Sequence, residues 1–215
     1  MIRHGESKWN VLRKEYPGED ERYHPRMWTV DCDITELGVR QAKQAGLDLV
    51  TQNIDSIDLL IISPLRRALQ TAQHVVDSFP GGGPKEVFVS TDAAEVMVDP
   101  CDIGSIPLQL CQEFPKWSFS HLQEHWWHGG LSPEDTLALM IVGKNLEGDD
   151  DVKRRIQSLK SLLRQTDARS IVVVCHGDLI WWLTRKWKDG EASGEEAKNG
   201  ELIEITSYVN LLDTP

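Results

Sequence analysis

The chain has 215 residues, 40% of them hydrophobic and 27% charged, which suits a single globular domain with room for a real core. Its formal net charge of −11 disfavours nucleic acid as a partner, since that binding draws on clustered Lys and Arg, and its overall field repels anions, so any anion site must be built from a few local cations and backbone N–H groups. No apolar run approaches the ~20 residues of a membrane helix, Met1-Ile2-Arg3-His4 is polar where a secretion signal is apolar, and Cys32, Cys101, Cys111 and Cys175 have no C-x-x-C spacing, so the chain reads as cytoplasmic with reduced thiols.

Taken in chain order, the first feature is Arg3-His4-Gly5-Glu6-Ser7, at the end of a very short apolar start. Thr35 is a candidate N-cap for a helix over Glu36–Val50, where Leu37, Ala42, Ala45 and Leu49 fall at helical spacing. A strand is expected over Asp58–Ser63. Pro64 then opens a helix over Leu65–Phe79, which ends at the Pro80-Gly81-Gly82-Gly83-Pro84 breaker. A second strand is expected over Glu86–Ser90. The stretch Thr91–Leu131, with three of the ten prolines and a Trp-rich cluster, reads as a flap inserted in a domain that spans residues 1–215. Beyond it come a helix over Asp149–Gln165, a strand over Ser170–Cys175, a helix over Leu179–Trp187 and a strand over Glu201–Thr206. Glu147–Asp151 reads as a solvated helix start and Glu191–Asn199 as an exposed loop. Trp181, Trp182 and Trp187 read as core or interface aromatics. Two of the strands are continuous Ile/Val/Leu runs, the mark of strands covered on both faces. The expected fold is therefore α/β, three-layered, with a mostly parallel sheet between helices.

Two strand-to-helix junctions carry a His next to a Gly: His4-Gly5 and His176-Gly177. Ligands of open α/β sheets bind outside the carboxyl ends of the strands. Gly lets backbone approach an anion, and a helix N-terminus offers free N–H donors. A third junction, Ser63-Pro64-Leu65-Arg66-Arg67-Ala68, delivers guanidinium groups to the same edge, and an Arg fork matches two phosphate oxygens at once. His121 and His125 have the i, i+4 spacing of metal ligands, and His128 lies close by in sequence. Without a telling carboxylate or Cys partner, and beside Trp126-Trp127, they read as flap packing, so no metal is expected.

Together these stretches resemble the histidine phosphatase superfamily, also called the phosphoglycerate-mutase-like family, over most of the chain. The resemblance lies in Arg3-His4-Gly5-Glu6-Ser7-Lys8-Trp9-Asn10, in Asp33-Ile34-Thr35-Glu36-Leu37-Gly38 with Gln41-Ala42, in Ser63 to Ala72, and in His176-Gly177, all in order. It implies that His4 is the nucleophile, phosphorylated on a ring nitrogen. It implies that Arg3, Arg67, His176 and Gly177 bind the phosphoryl group, with Asn10 as an added donor. Arg67 is preferred to Arg66 because the family's phosphate Arg directly precedes an Ala, and Arg66 reads as a salt-bridged helix residue. A protonated His176 and two Arg would neutralise the equatorial oxygens without a cofactor. The family's general acid follows the third strand. Here Glu95 is preferred, although Ala93-Ala94 replaces the family's Leu-Arg before it; Asp92, Asp99 and Asp102 are the rivals.

The implied activity is hydrolysis of a small phosphorylated substrate. Two alternatives stand beside it: a phosphoglycerate-type mutase, and a non-catalytic phospho-ligand binding module. A mutase would carry a Glu-Arg-His-Tyr-Gly-like stretch at the acid position, where this chain has Glu95-Val96-Met97-Val98-Asp99. One departure concerns the strand that should carry His4. Only Met1 and Ile2 precede Arg3, so that strand is either truncated or unusually short, which bears on how firmly His4 is placed.

Overall fold

A computed structural model of the chain describes residues 1–17, 25–144, 146–188 and 191–205. Four strands form one sheet: β1 (Ile2–Arg3), β2 (Leu59–Ile62), β3 (Glu86–Val89) and β4 (Ile171–Cys175), in the order β1-β4-β2-β3 with every neighbour parallel. Parallel pairing requires crossovers, and helices supply them. Before β2 come α1 (Lys8–Glu15) and α2 (Glu36–Thr51), and α3 (Arg66–Ser78) joins β2 to β3. Between β3 and β4 run α4 (Pro107–Glu113), α5 (Pro133–Ile141) and α6 (Asp149–Gln165); α7 (Gly177–Thr184) follows β4. A small antiparallel pair, β5 (Lys186–Lys188) and β6 (Glu191–Ser193), lies apart.

Alternation along the strands sorts the core into two sides. Ile2, Leu60, Ile62, Val172 and Val174 face α2 and α3, meeting Ala42, Ala45, Leu49, Leu69 and Val75. Leu59, Ile61, Val173 and Cys175 face α6 and α7, meeting Val152, Ile156, Leu159, Leu179 and Ile180. The three expected layers are present. Because β2 and β4 bury both faces, they lack polar alternation, and that is what made them legible.

The expected strands and helices lie close to their places, with edges shifted by a residue or so. Three expectations need correction. Pro64 does not open α3: Leu65 is its cap in an extended conformation, and the helix starts at Arg66. The helix after His176 ends at Thr184, because Arg185 turns extended and the chain enters β5, so Trp187 is not helical. The strand expected over Glu201–Thr206 is reduced to a single antiparallel bridge between Leu202 and Ile2; Thr206 lies outside the described residues.

That bridge bears on the short first strand. The outer side of β1 is occupied: Arg3 N–H donates to Glu201 O at 3.1 Å, and Ile203 N–H donates to Met1 O at 2.7 Å. With β4 on its other side, β1 is held from both flanks, and the His4 N–H itself reaches Cys175 O at 2.9 Å. The loop expected over Glu191–Asn199 is likewise not a free surface loop. It opens with β6, and Ala197 is 4% exposed.

Residues 91–131 pack onto the carboxyl edge of the sheet. Leu110 and Phe119 enter the α2/α3 side of the core, while Met97, Ile103, Trp126 and Trp127 form a third apolar cluster with Leu65. Both indole N–H groups are satisfied, by Ser105 O at 2.9 Å and Thr136 Oγ1 at 3.4 Å, as buried Trp requires. Among the described residues no helix is long and apolar enough to cross a membrane. All four cysteines are free, Cys111 being the exposed one.

Candidate active site

The register of the sheet builds the site. Ile2 and Ile62 both pair with Val174; β1 and β4 end level at Arg3 and Cys175 and β2 ends one residue earlier, so His4, His176 and Ser63 emerge at the same edge of the sheet. The two imidazole rings lie 5.2 Å apart between centroids. His4 is 3% exposed and His176 fully buried.

The His4 ring is oriented by its own turn. Nδ1 lies 2.7 Å from Gly5 O. A carbonyl oxygen only accepts, so Nδ1 carries the proton and Nε2 keeps its lone pair. Burial, and the positive charges of Arg67 and Arg3, hold the His4 pKa well below 6.5, so the ring is neutral at pH 7. Gly5 is needed for close packing: a Cβ there would collide with the backbone of Gly38 in α2. Its N–H donates to Thr71 Oγ1 at 3.0 Å, and Thr71 in turn donates to Arg67 O at 2.7 Å, tying the His4 loop to α3.

His176 is set by a hydroxyl. Its Nε2 is 2.7 Å from Ser63 Oγ, which already accepts from Leu65 N–H at 3.3 Å. With the Ser63 hydroxyl donating to Nε2, the ring proton sits on Nδ1, a buried nitrogen that has no partner among the described residues. The expectation of a protonated His176 is overturned. Burial first, then Arg67 and His4 beside it, push its pKa well below 6.5. It enters the site as a neutral N–H donor.

Two guanidinium groups complete the cradle. Arg67, 3% exposed, donates Nη1 to Cys101 O at 2.6 Å and Nη2 to Asp102 Oδ1 at 2.8 Å. Arg3 donates Nη1 to Ala197 O at 2.6 Å, and its Nε is buried without a partner among the described residues. Gly177 lies against Arg3: a Cβ there would sit 3.1 Å from Arg3 Cζ. Asn10 spends its Oδ1 capping α1 through the Ser7 N–H and hydroxyl, each at 3.0 Å, leaving its Nδ2 as a donor. Arg66 is engaged elsewhere, with Glu113 at 2.8 Å.

The four carboxylates weighed as acid differ in their surroundings. Asp92 accepts from Ser158 Oγ at 2.6 Å, and Asp99 caps the 3-10 turn Pro100–Asp102. Asp102 is the buried partner of Arg67. Glu95 is different. Its Oε1 accepts N–H bonds from Val96 at 3.0 Å and Leu179 at 3.1 Å, while Oε2 has only a 3.4 Å approach from Asp178 N. Burial, with Asp178 and Asp102 nearby, pushes the Glu95 pKa up to about 8. A carboxyl that keeps its proton at neutral pH, with one oxygen lightly engaged, is suited to donating it.

A family model described as histidine phosphatase superfamily (branch 1) matches residues 1–209. The chain belongs to that superfamily. Among solved structures this histidine phosphatase is similar to the α-ribazole phosphatase from Shigella flexneri, at 17% identity over 94% of this chain and 96% of that one, with a TM-score of 0.48. It is also similar to phosphoserine phosphatase from Entamoeba histolytica, at 21% over 84% and 74%, TM-score 0.43. A mycobacterial glucosyl-3-phosphoglycerate phosphatase matches at 24% over 85% and 76%, TM-score 0.47.

Sequence reasoning missed several groups around the site of this phosphatase. Asn199 Nδ2 donates to His4 O at 3.1 Å and Ala197 O receives Arg3, both from a stretch that looked like solvated loop. Glu147, taken as part of a solvated helix start, is buried against Arg155. No local signal marks Asn199 and Ala197, whose partners lie 195 and 194 residues away, while Glu147 is eight residues from Arg155 and its burial is set by packing. His121, His125 and His128 do not converge: His121 bonds Val89 O at 2.7 Å, and His125 leans on Trp127. Among the described residues no three His, Cys, Asp or Glu side chains gather as a metal set.

The Gly177 contact gives a direct test. Gly177→Ala should displace the Arg3 guanidinium by a few tenths of an ångström and weaken competitive inhibition by inorganic phosphate about tenfold, which corresponds to about 1.4 kcal/mol. An unchanged inhibition constant would show that Arg3 does not hold the anion.

Proposed function

We propose that this chain is a phosphomonoester hydrolase that works through a phosphohistidine on His4, with water as the second acceptor. The observation that carries this is the orientation of His4: its Nδ1 proton is committed to Gly5 O, so an unprotonated Nε2 faces a cradle of two Arg and one neutral His. The substrate is a small phosphorylated molecule, held at the carboxyl edge of the sheet with residues 91–131 as a flap beside it.

In the first step the Nε2 lone pair of His4 forms a bond to phosphorus, and the bond from phosphorus to the leaving oxygen breaks in line. Arg3, Arg67 and His176 Nδ1–H donate to the equatorial oxygens, with the Gly177 backbone packed behind Arg3 and Asn10 Nδ2 as a further donor. The Nδ1–H bond to Gly5 O strengthens as the phosphorylated ring becomes positive. Glu95 gives its proton to the departing alkoxide. In the second step Glu95, now a carboxylate, takes a proton from water as that water attacks phosphorus. The N–P bond breaks, its electron pair returns to Nε2, and inorganic phosphate leaves.

Glu95→Gln should lower kcat by about 10²- to 10⁴-fold on phosphates with poor leaving groups, because the donor is lost while the shape is kept. With Glu95 protonated in the free enzyme, kcat/KM should be flat through pH 6–7 and fall as pH rises through about 8. An acid limb from His4 should lie well below 6.5, since its depressed pKa keeps Nε2 unprotonated down to there. A profile that rises through pH 8, or a Glu95→Gln variant of full activity, would remove Glu95 from this role.

A further inference from the structure

The segment that carries Glu95 has almost no regular structure. A 3-10 turn ends at Ala93, the next begins at Pro100, and Ala94 has no side chain able to reach a partner. Yet an acid that serves the leaving group must be held within a fraction of an ångström. The hold comes from α6. Arg155, with its side chain 14% exposed, donates Nη1 to Ala94 O at 2.7 Å and to Asp92 O at 3.2 Å, and Nη2 to Glu95 O at 3.3 Å.

The same guanidinium forks onto Glu147, with Nε to Oε1 and Nη2 to Oε2 both at 2.8 Å. Glu147, with its side chain 4% exposed, grips the far end of the segment: its Oε2 accepts from Met97 N–H at 3.1 Å, and its own N–H donates to Met97 O at 3.0 Å. Backbone groups at residues 92, 94, 95 and 97 are thus fixed by one buried ion pair. All three guanidinium nitrogens are occupied and the charge is neutralised by Glu147, so the pair is not arranged to bind an anionic substrate. A small cavity of about 140 Å³ beside it is lined by Glu95, Asp102, Trp126, Trp127 and Arg155, so the pair backs the wall that carries the acid.

We propose that Arg155 and Glu147 form a positioning pair for the general acid, holding the Glu95 backbone so that its carboxyl meets the leaving oxygen. This rests on the reading of Glu95 as that acid. The hydrogen bonds of Arg155 and Glu147 go to each other and to the backbone of residues 92–97, and none goes to His4. Their loss should therefore spare N–P bond formation with a leaving group that departs unaided, and should slow departure of one that needs a proton.

The test is the ratio of kcat/KM on phenyl phosphate to kcat/KM on 4-nitrophenyl phosphate, which reports N–P bond formation ahead of the hydrolysis step both substrates share and does not depend on how much of a preparation is folded. Arg155→Lys keeps the charge but cannot fork, and Glu147→Gln keeps the shape but leaves the charge unpaired; Glu95→Gln is the reference. The ratio is expected to fall by about 100-fold in Glu95→Gln and by about 10- to 30-fold in the other two, within the span of general acid catalysis. An unchanged ratio in both Arg155→Lys and Glu147→Gln, whatever their melting temperatures, overturns the positioning role while leaving the acid in place. An unchanged ratio in Glu95→Gln overturns the acid itself, and the positioning pair with it. Should Arg155→Lys not fold, the Glu147→Gln ratio decides alone.

Discussion

His4→Ala is expected to abolish turnover, by about 10⁴-fold or more, and with it any phosphate bound covalently to the protein. Gly5 O takes the His4 proton at Nδ1, so Nε2 keeps its lone pair, and it has no donor among the described residues. The other buried imidazole shares its Nε2 with Ser63. Phosphohistidine survives alkaline denaturation, so rapid mixing with labelled aryl phosphate and an alkaline quench should trap label in the native enzyme and none in His4→Ala. Label retained in the variant would assign the nucleophile to another residue. Tight phosphate binding without label in either protein would favour a binding module.

Asp102→Ala should be the most damaging change for stability outside the hydrophobic core. The Arg67–Asp102 pair is 2.8 Å long, with both side chains 3% exposed. Removing one partner leaves a guanidinium buried without its counter-charge, which costs about 3–5 kcal/mol. Asp102 Oδ2 also receives the N–H of Asp99 at 3.0 Å and of Val98 at 3.3 Å, and these donors would be orphaned too. For a chain of this size the melting temperature should fall by roughly 10 °C, at about 2–4 °C per kcal/mol. Asp102→Asn, which keeps most of the hydrogen bonding, should lie between. Folded Asp102→Ala should also show a raised KM, since Arg67 loses one of its two anchors. Calorimetry showing native stability would mean that Arg67 relaxes to solvent and that the pair is incidental.

Some of this was legible in the sequence, for identifiable reasons. The Ile/Val runs of β2 and β4 are buried on both faces and carry no polar alternation, so composition alone reveals them. His4, Arg67 and His176 stand out because each follows a strand and meets a Gly or a helix start. What stayed hidden depends on distance along the chain. Arg155 lies on a charged helix with no motif around it, and the carbonyls it holds are about 60 residues upstream. The protonation of His176 was misjudged because sequence shows charge but not burial, and burial beside Arg67 decides it. Helix edges at Pro64 and Arg185 slipped because both depend on backbone angles set by the packing around them.

His4 is retained by a residue 195 positions away, through the Asn199 amide, and Arg3 by one 194 away, through Ala197 O. Contacts of such separation close late, because the entropy of the intervening loop opposes them. A ribosome-bound nascent chain therefore carries His4 long before the residues that hold it have been synthesised, and phosphatase competence should switch on only when the stretch around Ala197 and Asn199 docks. Proteolytic nicking near residue 195 would then silence the enzyme while leaving most of its bulk intact.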